Sequence, residues 1–246
     1  MRQILTKTVR EIALEAPVTT RIFEEYKIDY CCHGDTLFTD ACLKIGAHPT
    51  DVIEKIDHVI REGKIDDAGR FADLTLTGLI GHILETHHAF TRSEAERLTP
   101  LMEKVESRHS EHHLYLTELR RLFLSLCDEL EPHMTKEELV LFPYIVELEA
   151  KSGRGGTNFV PPFGTVKNPV RMMTIEHEEV GDILAKMRSI TSDYELPSDA
   201  CPSFTALFHR LDNLERDLHQ HIHLENNLLF PKAIELENAA FARASV

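Results

Sequence analysis

The sequence contains few cysteines, fewer basic than acidic residues and no long apolar run. No stretch approaches the roughly 18 apolar residues that a membrane-spanning helix needs. Lys and Arg number 27 against 41 Asp and Glu, so the formal net charge is −14. Nucleic-acid surfaces and surfaces that dock on anionic lipid both need clustered basic residues. The sequence therefore argues against a nucleic-acid partner and against a membrane partner.

The five cysteines are too few for a disulfide scaffold, and one is left over after pairing. Cys31 and Cys32 are adjacent, and a bridge between neighbouring cysteines is strained, so we expect free thiols. The N-terminal segment carries acidic residues where a signal peptide has its apolar region. We therefore expect a cytoplasmic protein. The oligomeric state, with a homodimer as one alternative, and the question of enzymatic activity stay open.

No segment shows the sustained alternation that predicts a strand, so the expected fold class is all-α. We expect a small helical domain, a weak linker at 61–69, and then a larger helical domain. Glycines and prolines at 151–164 predict a loop within the larger domain, and Asn168 and Ser203 are candidate helix N-caps. The two domains are predicted at 1–66 and 72–240, and the long helices at 72–106, 111–149, 169–191 and 204–240.

Each predicted long helix carries a histidine where its apolar stripe requires an apolar residue. The fourth helix shows the pattern best, because two ionisable residues interrupt a regular series of leucines. That series is Leu207, Leu211, Leu214, Leu218, His221, Glu225 and Leu228. The histidines on the first three stripes are His88, His133 and His177.

The clearest signal is an internal repeat. The segments that begin at His133 and His221 both fit His-x-x-x-Glu-x-x-x-Leu-Phe-Pro-x-x-(Val/Ile)-Glu-Leu-Glu without a gap. His88 precedes the first segment by 45 residues, and His177 precedes the second by 44. The unit is therefore a helix pair used twice, and two such pairs close into a four-helix bundle.

Burial of these histidines and glutamates needs compensation, since an unpaired buried charge costs several kcal/mol. A histidine and a glutamate four residues apart share one helical face and point to a common centre. Four imidazoles and two carboxylates suit iron, or less specifically another first-row metal. We therefore expect a site for two iron ions, with Glu137 and Glu225 as bridging carboxylates and an oxo or hydroxo bridge. Its ligands are His88, His133, Glu137, His177, His221 and Glu225.

Several other residues compete with this assignment. Glu85 and His88 have the Glu-x-x-His spacing of ferritin-like proteins, but the other three histidines lack such a glutamate. His87 is the alternative to His88. His219 and His223 lie on the face opposite to His221. The stretch with His109, His112 and His113 is expected to be a solvated helix junction.

Two further expectations concern the surroundings of the ligands. Glu129 and Asp217 each lie four residues before a predicted ligand, and either can accept the second ring N–H of that histidine. Their alternative role is that of solvated acidic residues. Pro132 and Pro143 are expected to bend or interrupt the second helix near His133.

The sequence resembles the repair-of-iron-centres family, also called iron-sulfur cluster repair di-iron proteins. The likeness covers nearly the whole chain. Residues 28–34, Ile-Asp-Tyr-Cys-Cys-His-Gly, resemble the short cysteine-bearing domain of that family, which ordinary hemerythrins lack. Residues 133–143 and 221–231 resemble its hemerythrin-like helices, and Glu176-His177-Glu178 fits the third. The apolar stripe and the resemblance both favour His88 over His87. Oxygen-carrying hemerythrins have a fifth histidine where this chain has Gly181, which predicts an open position for water or an exogenous ligand.

The resemblance implies a stress-induced protein that restores iron-sulfur clusters damaged by nitric oxide or oxidants. Damaged iron-sulfur proteins are then its partners, and nitric oxide or dioxygen its small ligand. Cys31 and Cys32 are candidates for redox, nitric oxide or iron chemistry, with simple packing as the alternative. The rival function is a sensor or carrier of nitric oxide or dioxygen without repair activity. A zinc-stabilised structural bundle is a third alternative.

Overall fold

The computed structural model of the chain describes residues 4–61, 71, 74–152 and 162–244. All of the predicted linker at 61–69 except Arg61, and most of the loop at 151–164, lie outside the described residues, as does most of the boundary between the two predicted domains. The all-α fold is confirmed. In the described ranges the only β pairing is an isolated antiparallel bridge between Thr8 and Leu37.

The described N-terminal part has two 3₁₀ turns, at Ile4–Thr6 and Pro17–Thr19, and four α-helices. A capping box begins the first of them, since Thr8 accepts from the Glu11 backbone and the Glu11 side chain accepts from the Thr8 backbone. Lys27, with φ 58°, ends the second helix in the left-handed conformation. The helices are α1 (Val9–Glu15), α2 (Thr20–Tyr26), α3 (Phe38–Lys44) and α4 (Pro49–Arg61).

Four long helices form the larger part of the described chain. Helix α5 packs against α6 and α8, and α6 packs against α7, so the four close into a bundle. The N-cap predictions were wrong, because α7 begins at Lys167, before Asn168, and α8 begins at Pro202, before Ser203. The helices are α5 (76–109), α6 (115–152), α7 (Lys167–Ile190) and α8 (202–244).

Three of the long helices contain a π-helical turn at the level of the predicted ligands. These turns are Ile83–His88 in α5, Glu137–Leu141 in α6 and Glu225–Leu229 in α8. Single π turns inside α-helices are frequent at functional sites. Two of them begin at the repeat glutamates and end just before its Phe-Pro pair.

Of the two prolines of α6, Pro143 adjoins an irregular turn, as predicted, whereas Pro132 does not interrupt the helix. Pro132 lies within the uninterrupted α-helix Tyr115–Lys136. Pro143 follows the π turn Glu137–Leu141, which is where the helix departs from α geometry. A proline ring clashes with the carbonyl one turn earlier, and the wider π turn relieves that clash. The irregularity thus lies after His133, at the turn that carries Glu137.

The last glutamate of each repeat caps the first helix of the same repeat. The Glu149 carboxylate accepts from the backbone N–H groups of Leu76 (2.7 Å) and Thr77 (2.9 Å), at the start of α5. The Glu237 carboxylate accepts from the Val166 N–H (2.8 Å), at the start of α7. These bonds satisfy donors that helix N-termini otherwise leave free. The repeat therefore extends to its final Glu because that residue closes each helix pair.

One apolar core joins the N-terminal helices to the bundle. It runs from residues such as Phe23 and Phe38 to Leu119 and Leu211 in the long helices. A second cluster fills the other end of the bundle, around Leu79, Ile145 and Phe230. Among the described residues, no helix combines the length and the apolar character needed to cross a membrane.

Candidate metal centre

The structure brings all six predicted ligand residues together in the bundle interior, where each is at most 2% exposed. They form two groups of four, and each group keeps its ligand atoms within 4.8 Å of one another. Glu137 and Glu225 belong to both groups. We call the groups cluster A, with His88 and His221, and cluster B, with His133 and His177.

The two shared carboxylates each turn one oxygen toward each cluster. Glu137 Oε2 lies 3.4 Å from His88 Nε2 in cluster A, and its Oε1 lies 3.4 Å from His133 Nε2 in cluster B. Glu225 Oε1 lies 3.1 Å from His221 Nε2 in cluster A, and its Oε2 lies 3.1 Å from His177 Nε2 in cluster B. The two carboxylates thus occupy equivalent positions in the repeat and span the same gap.

Three of the four histidines are oriented by a hydrogen bond from the outer ring nitrogen. His88 Nδ1 bonds to Glu138 Oε1 at 2.7 Å, and His177 Nδ1 bonds to Asn226 Oδ1 at 3.0 Å. Glu138 and Asn226 are equivalent positions of the repeat. The third partner, for His133 Nδ1, is Glu176 Oε2 at 2.8 Å. Such outer partners hold the proton on Nδ1 and turn the Nε2 lone pair inward, as metal-ligating histidines require.

The nitrogen and oxygen atoms that face inward carry lone pairs without a hydrogen-bond donor in the described part of the chain, and a cation can bind to these lone pairs. His133 Nε2 and His177 Nε2 lie 3.1 Å apart, and with both protons on Nδ1 two lone pairs face each other. His88 Nε2, both Glu137 oxygens and Glu225 Oε2 are buried without a hydrogen-bond partner among the described residues. Buried polar groups are rarely unpaired in folded proteins. The donor set fits divalent first-row metal ions.

The electrostatics of the protein chain alone agree with this conclusion. Burial opposes the charge on each carboxyl, but the facing imidazoles outweigh it and hold the pKa values of Glu137 and Glu225 below their usual range. Burial also lowers the pKa of His133, yet Glu137 and then Glu176 outweigh it and raise that pKa to about 10. Ligand atoms must be deprotonated to bind metal, so a bound cation replaces these protons.

Clusters A and B differ in one hydrogen-bond partner, since both histidines of cluster B have an outer partner and His221 of cluster A has none among the described residues. The residue before His177 is Glu176, which holds His133, whereas the residue before His88 is His87. The His87 ring stacks on His221 with centroids 5.6 Å apart, and His221 Nδ1 has no hydrogen-bond partner among the described residues. Asp217 accepts from His87 Nδ1 at 3.0 Å. Neither Glu129 nor Asp217 orients the histidine four residues after it, and for Glu129, which is exposed, the alternative role of a solvated acidic residue holds.

The competing residues lie elsewhere. Glu85 is exposed, and His87 belongs to neither cluster, although it is buried. His219 and His223 face the N-terminal helices: His219 Nδ1 bonds to Glu24 at 2.9 Å, and the His223 ring packs on Tyr30 at 5.3 Å. Burial, followed by the charge of Arg10, lowers the pKa of His223 to about 4. The face opposite to His221 is thus an internal docking surface.

The loop that carries Cys31 and Cys32 lies directly against the centre. Cys32 Sγ donates to the His177 carbonyl oxygen at 3.3 Å. The side-chain amide of Asn226 donates to the Cys31 carbonyl at 3.3 Å, and that of Asn227 donates to the Tyr30 carbonyl at 3.2 Å. Asn226 and Asn227 follow Glu225 immediately, so the residues that fasten this loop adjoin a predicted ligand.

Gly181 explains how the loop comes so close. A Cβ atom at Gly181 would lie 3.0 Å from Cys32 Sγ and 3.3 Å from Cys32 Cβ. Cys32 therefore occupies the space that a side chain at this position would need, and the open position for water or an exogenous ligand stays a prediction. A small cavity of about 120 Å³ borders both residues.

Cys31 and Cys32 are not joined by a disulfide bond. The two sulfur atoms lie 3.6 Å apart, and all five cysteines are free. The hydrogen bond with Cys32, and then burial, raise the pKa of the Cys31 thiol well above its usual range. Cys31 is therefore held protonated, and a protonated thiol is a poor nucleophile. Asp29, Cys31 and Cys32 also form a group whose ligand atoms lie within 4.8 Å of one another.

A helical bundle with two histidine pairs that share two carboxylates defines a metal-binding protein of the hemerythrin type. The hemerythrin HHE cation binding domain matches residues 79–233, and a domain of unknown function (DUF542) matches residues 5–60. The chain is 30% identical to the iron-sulfur cluster repair protein ScdA of Staphylococcus haemolyticus, over 91% of this chain and 96% of that protein.

Two other relatives support the same family. The chain is 32% identical to the iron-sulfur cluster repair protein YtfE of Escherichia coli O81, over 91% of this chain and 94% of that protein. It is 29% identical to a probable iron-sulfur cluster repair protein of Haemophilus influenzae, over 91% and 95% of the two chains. The chain therefore belongs to the hemerythrin-like family of iron-sulfur cluster repair proteins.

The sequence did not reveal several features of the site, among them the role of Glu176 in orienting His133. Glu138 and Asn226, which orient His88 and His177, directly follow the repeat glutamates. A comparison of the two repeats at the residue after the glutamate could have pointed to them. Phe142 and Phe230, from the Leu-Phe-Pro of each repeat, stack on His88 and His177 with centroids 5.8 and 6.1 Å apart. The contact between Cys32 and Gly181 joins distant segments, so no local pattern could indicate it.

Proposed function

We propose that clusters A and B hold two iron ions bridged by Glu137 and Glu225. The observation that carries the proposal is that each carboxylate turns one oxygen toward each histidine pair. Two imidazoles and two shared carboxylates per ion suit a first-row metal. The match to the hemerythrin domain supports iron in particular.

A bound iron pair supplies redox chemistry and affinity for small ligands such as nitric oxide and dioxygen. The protein chain orients the ligands and shields them from water. Glu138, Glu176 and Asn226 fix the orientation of three imidazoles, which keeps their Nε2 lone pairs inward. The Phe142 ring stacks on His88 and the Phe230 ring stacks on His177, and both rings exclude water from that side of the histidine.

We infer that the protein acts in the cytoplasm in the repair of iron-sulfur clusters damaged by nitrosative or oxidative stress. Two routes serve this function, namely supply of iron and removal of nitric oxide. The names of the relatives support repair. The thiol loop supports it as well, because Asp29, Cys31 and Cys32 offer three metal-ligating groups beside His177, which a simple carrier does not need.

The test measures recovery of an iron-sulfur enzyme, such as aconitase, after inactivation by nitric oxide in a cell extract. Purified wild-type protein should restore activity, and the His177→Ala variant should not. The Cys32→Ser variant should retain its iron but restore less activity, because we propose that the thiols act in the repair step and not in binding the iron pair. Equal recovery with wild type and His177→Ala would contradict repair. Reversible binding of nitric oxide without any recovery would instead support the sensor or carrier.

A further inference from the structure

A further group of metal-ligating side chains lies at the far end of α5. His109 is the last residue of that helix, and Cys201 directly precedes α8. His109 Nε2 lies 3.2 Å from Cys201 Sγ. The helix Ala89–His109 has 21 residues, so at about 1.5 Å per residue this group lies roughly 30 Å from His88. It is therefore separate from clusters A and B.

A second pair of donors adjoins the first. His113 Nε2 lies 3.1 Å from both carboxylate oxygens of Asp199. The rings of His109 and His113 have centroids 6.3 Å apart, and both pack on Phe204, at 5.2 and 5.3 Å. These two histidines lie at a helix junction as expected, but they are half-buried, whereas His112 between them is exposed.

We propose that His109, His113, Asp199 and Cys201 form a binding site for one zinc-like divalent cation. Two imidazoles, one thiolate and one carboxylate are the donor types of tetrahedral zinc sites, and their two negative charges balance a dication. Metal–ligand bonds of about 2.0–2.3 Å put tetrahedral donor atoms roughly 3–4 Å apart. Each of the two observed pairs already has such a separation. The four donors are not gathered as closely as those of clusters A and B, so side chains must rotate to bring both pairs onto one ion.

The position of the four residues suits a site that takes its ion from solution. His113 and Asp199 have side chains 14% and 55% exposed, and Cys201 is half-buried. The histidines come from the end of one helix, and the other two residues from the segment before another. A bound ion would therefore fasten the 110–114 turn to the start of α8.

The test uses Co²⁺ as a spectroscopic probe, added anaerobically to the full-length protein as purified with its own metal. We expect one equivalent of Co²⁺ to produce a thiolate-to-cobalt charge-transfer band in the near ultraviolet. The band should be absent in Cys201→Ser, and His109→Ala or His113→Ala should weaken binding about tenfold or more. His112→Ala is the matched control and should bind like wild type.

Variants of the other thiols separate this site from the one beside His177. The band should persist in Cys31→Ser and Cys32→Ser. Zn²⁺ should raise the melting temperature of wild type but not of Cys201→Ser, since a ligand that binds only the folded state stabilises it. A band that is absent in wild type, or that survives Cys201→Ser, would overturn the proposal.

Discussion

Gly181 shows how one residue shapes the whole centre. It lies one helical turn after His177, at the position of an additional histidine in oxygen-carrying hemerythrins. Without a side chain there, the Cys31–Cys32 loop approaches until Cys32 Sγ contacts the His177 carbonyl. The missing side chain is thus the condition for the thiol loop to reach the centre.

The first prediction concerns this contact. Gly181→Ala places a Cβ atom 3.0 Å from Cys32 Sγ, so it should lower the free energy of unfolding by about 1–3 kcal/mol. Gly81→Ala is the matched control, since its Cβ meets nothing within 4 Å. That variant should be neutral or up to about 1 kcal/mol more stable, because alanine favours helix over glycine. Equal effects of the two substitutions in denaturant unfolding would contradict the account.

At this scale the sequence indicated much of the candidate centre. The six residues that the structure brings together are those predicted from the stripes and the repeat. Their orienting partners were missed, because Glu176 and Asn226 reach their histidines from a neighbouring helix. Helical spacing describes which residues share a face, whereas these bonds depend on how two faces meet.

At the scale of elements, the repeat glutamates at 149 and 237 close each helix pair. Glu149 illustrates the consequence for stability. Burial raises the pKa of its carboxyl, but the hydrogen bonds from Thr77 and Leu76 outweigh it and hold the pKa below the usual 4.5. The folded state therefore favours the ionised form.

The second prediction follows from this lowered pKa. Glu149→Gln should lower the free energy of unfolding by about 1 kcal/mol at neutral pH, the usual magnitude of an N-cap. Because the folded pKa lies below the unfolded one, this contribution is present above pH 4.5 and is lost as the pH falls through the folded pKa. Chemical denaturation at several pH values checks both points.

Glu147→Gln provides the control for this experiment. Glu147 lies two residues earlier on the same helix, and its carboxylate pairs with Lys151 near the surface. Such pairs contribute little, so this variant should change stability by less than about 0.5 kcal/mol. A Glu149→Gln variant that matches it at every pH would show that the carboxylate does not cap α5.

The sequence indicated the four long helices to within a few residues but not their π turns. Apolar stripes indicate which face of a helix is buried. One π turn changes the spacing of a stripe too little to be noticed in the sequence. The Phe-Pro pairs at 142 and 230 follow two of the π turns, so proline was a usable signal. The third turn, Ile83–His88, has no proline after it and gave no comparable sign.

At the scale of the whole molecule, the predicted small domain and the bundle share one apolar core. Asn227 and the two histidines His219 and His223 bond to or pack on the N-terminal part. The sequence could not indicate this union, since the contacts join residues nearly 200 positions apart.

The third prediction is that both parts unfold together. Removal of either would expose apolar residues that the other covers, so scanning calorimetry should give one cooperative transition. The variant His223→Ala should shift that transition without splitting it. Two separate transitions in wild type would contradict a common core.

The central claim is that Glu137 and Glu225 bridge two iron ions. The most direct test is the iron content and visible spectrum of protein purified without oxygen, for wild type and Glu225→Ala, with Glu85→Ala as an exposed control. Wild type and the control should hold two iron ions per chain and show the absorption of a coupled pair. Glu225→Ala should lose iron from both clusters together, because Glu225 contacts both. Well under two irons in wild type, or an intact iron pair in Glu225→Ala, would contradict the account.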